Sequence, residues 1–402
     1  MNREPKQPGL RTRAVHAGEG PDPATGASSP NLVMSTTFVA GPDASFSIEG
    51  FEEGSGYVYT RWANPTVAQL ERKLADLEGA PACVAFASGM AAVSALFLHL
   101  LRPGDRLLLS DVSYAGTAEL AKGLLPELGV QVERVDMSDL ALVAQALSRP
   151  ARLVYIETPC NPILRLTDIA AVAELAHAQG AALAVDSTFA TPVATRPLEL
   201  GADYVLHSLT KYICGHGDAV GGALLGPKPD MGQVRKEMLV HVGGVLSPFN
   251  AWLILRGAAT LPLRMQAHEQ TALALARFLE GHPKVERVLY PGLASHPQHA
   301  LAARQMANFS GILTFQVADG QAAVRVLAER LRVIHYAVSL GHHRSLLFYM
   351  HTDDLLASSF PLSPEQEAAY RAYAGEGIFR LSVGLEVPED LTADLEQALQ
   401  GL

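Results

Sequence analysis

Cysteine is scarce in this chain: Cys83, Cys160 and Cys214 are the only three in 402 residues, and none forms a CxxC pair. A disulfide framework is therefore excluded, and buried free thiols in a reducing cytoplasm are expected. Positive charge is also short, 31 Lys and Arg against 41 Asp and Glu for a formal net charge of −10, and no basic cluster occurs. That balance argues against nucleic acid or an anionic membrane as a partner. No apolar run reaches the length of a membrane span. The N-terminus, MNREPKQPGLRTR, has basic residues but no apolar h-region, so it does not read as a secretory signal. Sequence repeats and low-complexity tracts are missing as well.

What is there belongs to a globular protein, with 49% hydrophobic and 18% charged residues. A chain of 402 residues exceeds one small core. The pattern divides it into an arm (1–60), a large domain (61–258) and a C-terminal domain (259–402). The arm is rich in Gly, Pro, Ser and Thr and shows little periodicity; irregular segments of that length are usually functional or wrap a partner. Asn64-Pro65 then opens a predicted helix with Val67, Leu70, Leu74 and Leu77 on one face and Gly79 closing it. From there to about residue 225 the chain reads α/β. The apolar runs CVAFAS (83–88), RLLLSD (106–111), RLVYIET (152–158), LAVDST (183–188) and YVLHS (204–208) alternate with helical stretches such as 88–101 and 167–179. Strands apolar on both faces predict a mainly parallel sheet flanked by helices. Ligands of such sheets gather at the carboxyl ends of the strands, so Ser88, Asp111, Glu157, Asp186 and Ser208 are expected to share a crevice. A long amphipathic helix (263–283) and the strands GILTFQV (311–317) and FRLSVGLE (379–386) then predict a smaller α+β domain.

The stretch ADYVLHSLTKYICGHGD (202–218) carries the chemistry. Lys211 follows a buried strand, where desolvation lowers an amine's proton affinity and makes it a nucleophile toward aldehydes such as pyridoxal phosphate (PLP). The hydroxyls of Ser208 and Thr210 could hold that cofactor's phosphate. So could Ser88, Gly89 and Met90, whose helix N-terminus exposes free N–H groups. Asp186 ends its own apolar run, where a carboxylate can pair with the pyridinium nitrogen of PLP. Arg380 stands in an otherwise apolar strand and needs an anionic partner there. GHGDAVGG (215–222) lacks GxGxxG spacing and does not read as a dinucleotide loop. His342, His343 and His351 have no second cluster to form a metal site with, and no metal is expected.

The spacing of Asp186 to SLTK (208–211), with ETPCNP (157–162) and YVYTRWANPT (57–66), resembles the Cys/Met-metabolism PLP-dependent enzymes. That family holds cystathionine γ-synthases, cystathionine and methionine γ-lyases and O-acylhomoserine sulfhydrylases, and the similarity runs from about residue 12 to the C-terminus. It implies an aspartate-aminotransferase-like (fold type I) architecture with PLP on Lys211. It implies Tyr114 stacked on the cofactor and moving protons, and Asn161 at its phenolic oxygen. Tyr59 and Arg61 would reach a neighbouring subunit's phosphate, and Arg380 and Ser339 would grip the substrate carboxylate. By the same resemblance the arm clasps a neighbour in a homotetramer whose subunits share active sites. Val338 stands where cystathionine-handling members usually carry Glu, as in methionine γ-lyases. Gly116 and Val240-His241 depart from the methionine γ-lyase pattern, and HHRSLLFYMHTDDL (342–355) departs from all. His342, His343 and Arg344 could meet a distal carboxylate or form a solvated loop. The expected activity is γ-elimination on methionine, homocysteine or cystathionine, giving 2-oxobutanoate, ammonia and a thiol. The alternative is γ-replacement, and the remote one a non-catalytic PLP-fold binding protein, for which Lys211 would be superfluous.

Overall fold

The computed structural model describes residues 8–41, 56–359 and 362–402. Its centre is a seven-stranded sheet of β1 (Ala82–Phe86), β2 (Arg106–Ser110), β3 (Gln131–Val135), β4 (Leu153–Glu157), β5 (Ala182–Asp186), β6 (Tyr204–Ser208) and β7 (Gly222–Gly226). The strand order is β1-β7-β6-β5-β4-β2-β3, and β7 alone runs antiparallel to its neighbours. Successive side chains go to opposite faces. Leu107, Leu109 and Tyr155 pack with Phe97 of the helix Gly89–Leu100 on one side. Leu108, Val154 and Ile156 pack with Ile169 and Val172 of the helix Ile169–Ala178 on the other. Burial on both faces is why these strands read as unbroken apolar runs.

The helix starts are sequence-encoded. Asn64 Oδ1 accepts the Thr66 N–H at 2.9 Å, Pro65 takes the first turn, and Gly79 ends the helix Pro65–Glu78 at φ 75°. Ser88 Oγ caps the helix Gly89–Leu100 by accepting the Ala91 N–H at 3.1 Å. Two strands of this sheet escaped the sequence reading. β3 is an edge strand of polar alternation, QVERV, and β7, GALLG, has neither β-branched nor aromatic residues.

Beyond β7, the helices Pro248–Ala259 and Leu261–Glu280 lead to a smaller sheet. It comprises β8 (Arg287–Leu289), β9 (Ile312–Gln316), β10 (His335–Tyr336), β11 (Leu346–His351) and β12 (Gly377–Ser382), in the order β10-β11-β12-β9-β8. Phe315 and Phe379 stack in its core with ring centroids 5.3 Å apart. The described part of the arm is tied to its own chain. Buried Lys73 donates to the Ala14 carbonyl and pairs with Glu19, each at 2.5 Å, and Trp252 Nε1 donates to the Pro30 carbonyl at 3.1 Å. From Met34 to Val39 the arm carries exposed apolar side chains instead.

Candidate active site

Four of the five strand ends expected in one crevice adjoin it. β4 ends in Glu157, β5 in Asp186 and β6 in Ser208; Glu157 and Asp186 are register partners on neighbouring strands. Ser88 follows β1, and Gly89 lies so close to β6 that a Cβ there would be 3.0 Å from Ser208 Cβ. Asp111 is the exception. It is buried against Arg165, whose other nitrogen pairs with Asp136 at 2.9 Å, so this carboxylate is committed to a structural ion pair.

Asp186 is a half-buried carboxylate with no cationic partner among the described residues. It accepts the Thr188 N–H at 3.0 Å and the Tyr155 hydroxyl at 3.3 Å. Burial raises its pKa. Glu157 beside it accepts the Tyr114 N–H at 2.6 Å and the Asn161 N–H at 2.8 Å. Burial, and then the Asp186 charge, push Glu157 up to about 8. Lys211 moves the opposite way: burial, then the nearby Arg380 cation, hold its amine below the usual lysine value.

The smaller sheet supplies the facing wall. Lys211 Nζ donates to Ser339 Oγ at 3.2 Å. Arg380, buried in β12, donates through Nη1 to Asn161 Oδ1 at 2.7 Å and through Nη2 to the Ser339 carbonyl at 3.0 Å. Burial brings its guanidinium down to about 10. Ser339 has φ 85°, a left-handed conformation that a non-glycine residue holds only when its surroundings impose it. Val338, beside it, is 64% exposed.

Ser88, Gly89 and Met90 open the helix toward β6, and Gly222 lets β7 approach, since a Cβ there would fall 2.1 Å from the Ser88 carbonyl oxygen. The Thr210 hydroxyl is shared with its own loop, donating to the Gly221 carbonyl at 3.2 Å and accepting the Gly221 N–H at 3.1 Å. Tyr114 is 48% exposed, and a Cβ on Gly116 would lie 2.9 Å from its ring and 3.1 Å from Met90 sulfur. Tyr59 and Arg61 stand apart from this group. The Arg61 guanidinium lies over the Tyr59 ring at 5.4 Å and donates to the Val240 carbonyl. No described contact joins either residue to Ser88, Ser208 or Lys211 of the same chain.

The arrangement suits PLP. A cationic ring nitrogen would meet the half-buried carboxylate of Asp186, which has no cationic partner among the described residues, the open Tyr114 ring offers a stacking face, Lys211 is a desolvated amine, and the helix start at Ser88 suits a phosphate. Residues 11–400 match the family described as Cys/Met metabolism PLP-dependent enzyme. The chain belongs to that family. The L-methionine gamma-lyase of Pseudomonas putida is 42% identical over 402 residues, 100% of this chain and 99% of that protein. The cystathionine gamma-synthase of Mycobacterium tuberculosis is 42% identical over 391 residues, covering 97% of each. The O-succinylhomoserine sulfhydrylase of Pseudomonas aeruginosa is also 42% identical, over 97% of this chain and 95% of its own. The crystal structure of metB from Corynebacterium glutamicum superposes with a TM-score of 0.88 at 40% identity, covering 99% of both chains. This is thus a PLP-dependent enzyme of Cys/Met metabolism with the fold expected of one. Three residues had escaped notice as site members: Tyr155 and Thr188, which hold Asp186, and Glu157, seen only as a strand end. The D-x-T spacing of 186–188 was the available signal for Thr188.

Proposed function

We infer that the chain catalyses γ-elimination on a sulfur amino acid, releasing 2-oxobutanoate, ammonia and a thiol. The observation that carries this reading is Val338. It is an exposed apolar side chain next to the serine that touches Lys211, so position 338 itself offers no carboxylate to a distal ammonium group.

Bound PLP would supply the electron sink that makes a Cα proton removable. Lys211 would hold the cofactor covalently and, once released by the substrate amine, take the Cα proton, a task its lowered proton affinity suits. Asp186 would keep the ring nitrogen protonated, oriented by Thr188 and Tyr155. Ser88, Gly89, Met90, Ser208 and Thr210 would hold the phosphate, and Asn161 the phenolic oxygen. Arg380 and Ser339 would fix the substrate carboxylate, the planar guanidinium fork matching its two oxygens. Tyr114 would stack on the ring and protonate the leaving sulfur. Tyr59 and Arg61 would act in a neighbour's site, and the protein would assemble as a homotetramer in the cytoplasm. The proposed division is an arm (1–60), a large domain (61–258) and a C-terminal domain (259–402).

γ-Replacement is the second reading, favoured by Arg344, an exposed cation on the loop that carries Val338 and able to meet the distal carboxylate of a succinyl ester. The deciding assay incubates the PLP-loaded enzyme with L-methionine, L-homocysteine, L-cystathionine or an O-acylhomoserine, with and without L-cysteine or sulfide. Oxobutanoate from methionine or homocysteine without added thiol is the expected result. Thioether or homocysteine formed from the ester faster than oxobutanoate would overturn elimination in favour of replacement.

A further inference from the structure

The roles proposed above leave His342 without a task, yet it stands one hydroxyl away from the reacting amine. His342 Nε2 lies 3.3 Å from Ser339 Oγ, and the same oxygen lies 3.2 Å from Lys211 Nζ. The ring is held in place: a Cβ on Gly217 would come within 2.7 Å of it, and the neighbouring His343 N–H ties the loop to the Gly215 carbonyl at 2.9 Å. The turn at 215–217 and the loop at 341–344 are thus one packed unit, with the His216 and His343 rings 5.7 Å apart on its outer side.

We propose that His342 is a positioning residue for Lys211 that acts through Ser339, accepting at Nε2 the proton Lys211 must shed before its nitrogen can bond or act as a base. The inference rests on the PLP reading above. In the step an N–H bond of Lys211 breaks with its electron pair left on nitrogen, and an O–H bond forms at Ser339. The original Ser339 O–H breaks and an N–H bond forms at His342, from whose half-exposed ring the proton continues to solvent. Nothing is oxidised or reduced. The charged and titratable groups acting on His342 are Lys211 and Asp218, which flank the packed turn, and His343 and Arg344 on its own loop; His216 lies against His343, and Arg380 on β12 donates to the Ser339 carbonyl. Burial first and Lys211 second hold His342 below the usual histidine value, with Asp218 opposing, so at neutral pH Nε2 is a free acceptor when the hydrogen sits on Nδ1.

The test uses apo-protein and added PLP, following the rate at which the visible absorption band appears as a function of pH. Wild type is expected to slow on the acid side through an inflection below the ordinary histidine value of 6.5. His342→Ala should lose that inflection and react roughly tenfold more slowly at neutral pH, less than the hundredfold or more of a group touching the reacting atom. His342→Asn keeps a hydrogen-bonding side chain without a basic nitrogen and should behave like the alanine variant; it carries the test alone if the alanine variant fails to fold. In a Ser339→Ala background, His342→Ala should add no further loss. Unchanged profiles in both His342 variants overturn the relay. So does rescue by asparagine, or an equal loss with Ser339 already removed. A wild type that never develops the band overturns the PLP reading itself, and the relay with it.

Discussion

Glu157 and Asp186 stand side by side on β4 and β5 with no ion-pair partner among the described residues, and burial favours the protonated form of each. An acid whose pKa is raised on folding adds stability below its unfolded value and loses it as pH rises through the folded one. For Glu157 that window runs from its ordinary 4.5 to about 8. Urea unfolding of the apo-protein across it should show stability falling with pH more steeply in wild type than in Glu157→Gln; parallel curves would refute the assignment. At Arg380 the geometry matters more than the charge. Arg380→Lys keeps a cation but cannot span both Asn161 and Ser339, so the KM for the amino acid should rise roughly tenfold to a hundredfold, the factor for one charge-assisted hydrogen bond of about 1.5–3 kcal/mol. The visible band should persist in that variant. Lys211, Asp186 and Arg380 were legible because a charged residue beside or within an apolar run demands a reason. Tyr155 and Thr188 were not, since a tyrosine in a buried strand and a threonine after it look like ordinary packing and a turn.

At the scale of the element, β7 does what no other strand of the large sheet does. Running antiparallel between β1 and β6, it brings Gly222 against the Ser88 carbonyl, and so sets how closely the helix start at Ser88 approaches Ser208. Gly222→Ala must push that helix start away. Thermal unfolding and PLP titration should show a loss of about 1–3 kcal/mol of stability together with weaker PLP binding; normal PLP affinity would show that the cradle does not depend on this contact. Apart from the polar edge strand β3, the parallel part of the sheet was legible from runs of Val, Leu and Ile bounded by polar strand ends. β7 was not, because its five residues, GALLG, sit inside a glycine-rich stretch that reads as a turn. Helices were legible at the caps Asn64, Ser88 and Asp168, but not at Asp139, Asp319 or Ser363, whose side chains cap helices as well.

For the whole molecule, the separation of Tyr59 and Arg61 from Lys211 within one chain makes an oligomer test decisive. Chains carrying Tyr59→Phe and Arg61→Ala, mixed after unfolding and refolding with Lys211→Ala chains, should regain part of the activity that each parent lacks. No recovery would count against shared sites, and light scattering of the wild type checks for the tetramer. The sequence could not supply this level of organisation, because an arm that binds a partner and an arm that merely wanders have similar composition. One feature of the smaller sheet bears on how such enzymes diverge. Val338, Ser339, His342 and Arg344 all lie on the connection from β10 to β11 at the sheet's rim, bolted at its far end by Ser345 to Glu386 at 2.7 and 2.9 Å. Changes at Val338 and Arg344 disturb no central strand, whereas Asp186 and Ser208, proposed to address the cofactor, end strands of the large sheet. Selection can therefore rewrite the side chains at 338 and 344, which greet the far end of a substrate, while Ser339 and His342 beside the amine are kept, and relatives of nearly equal identity can carry different reaction names.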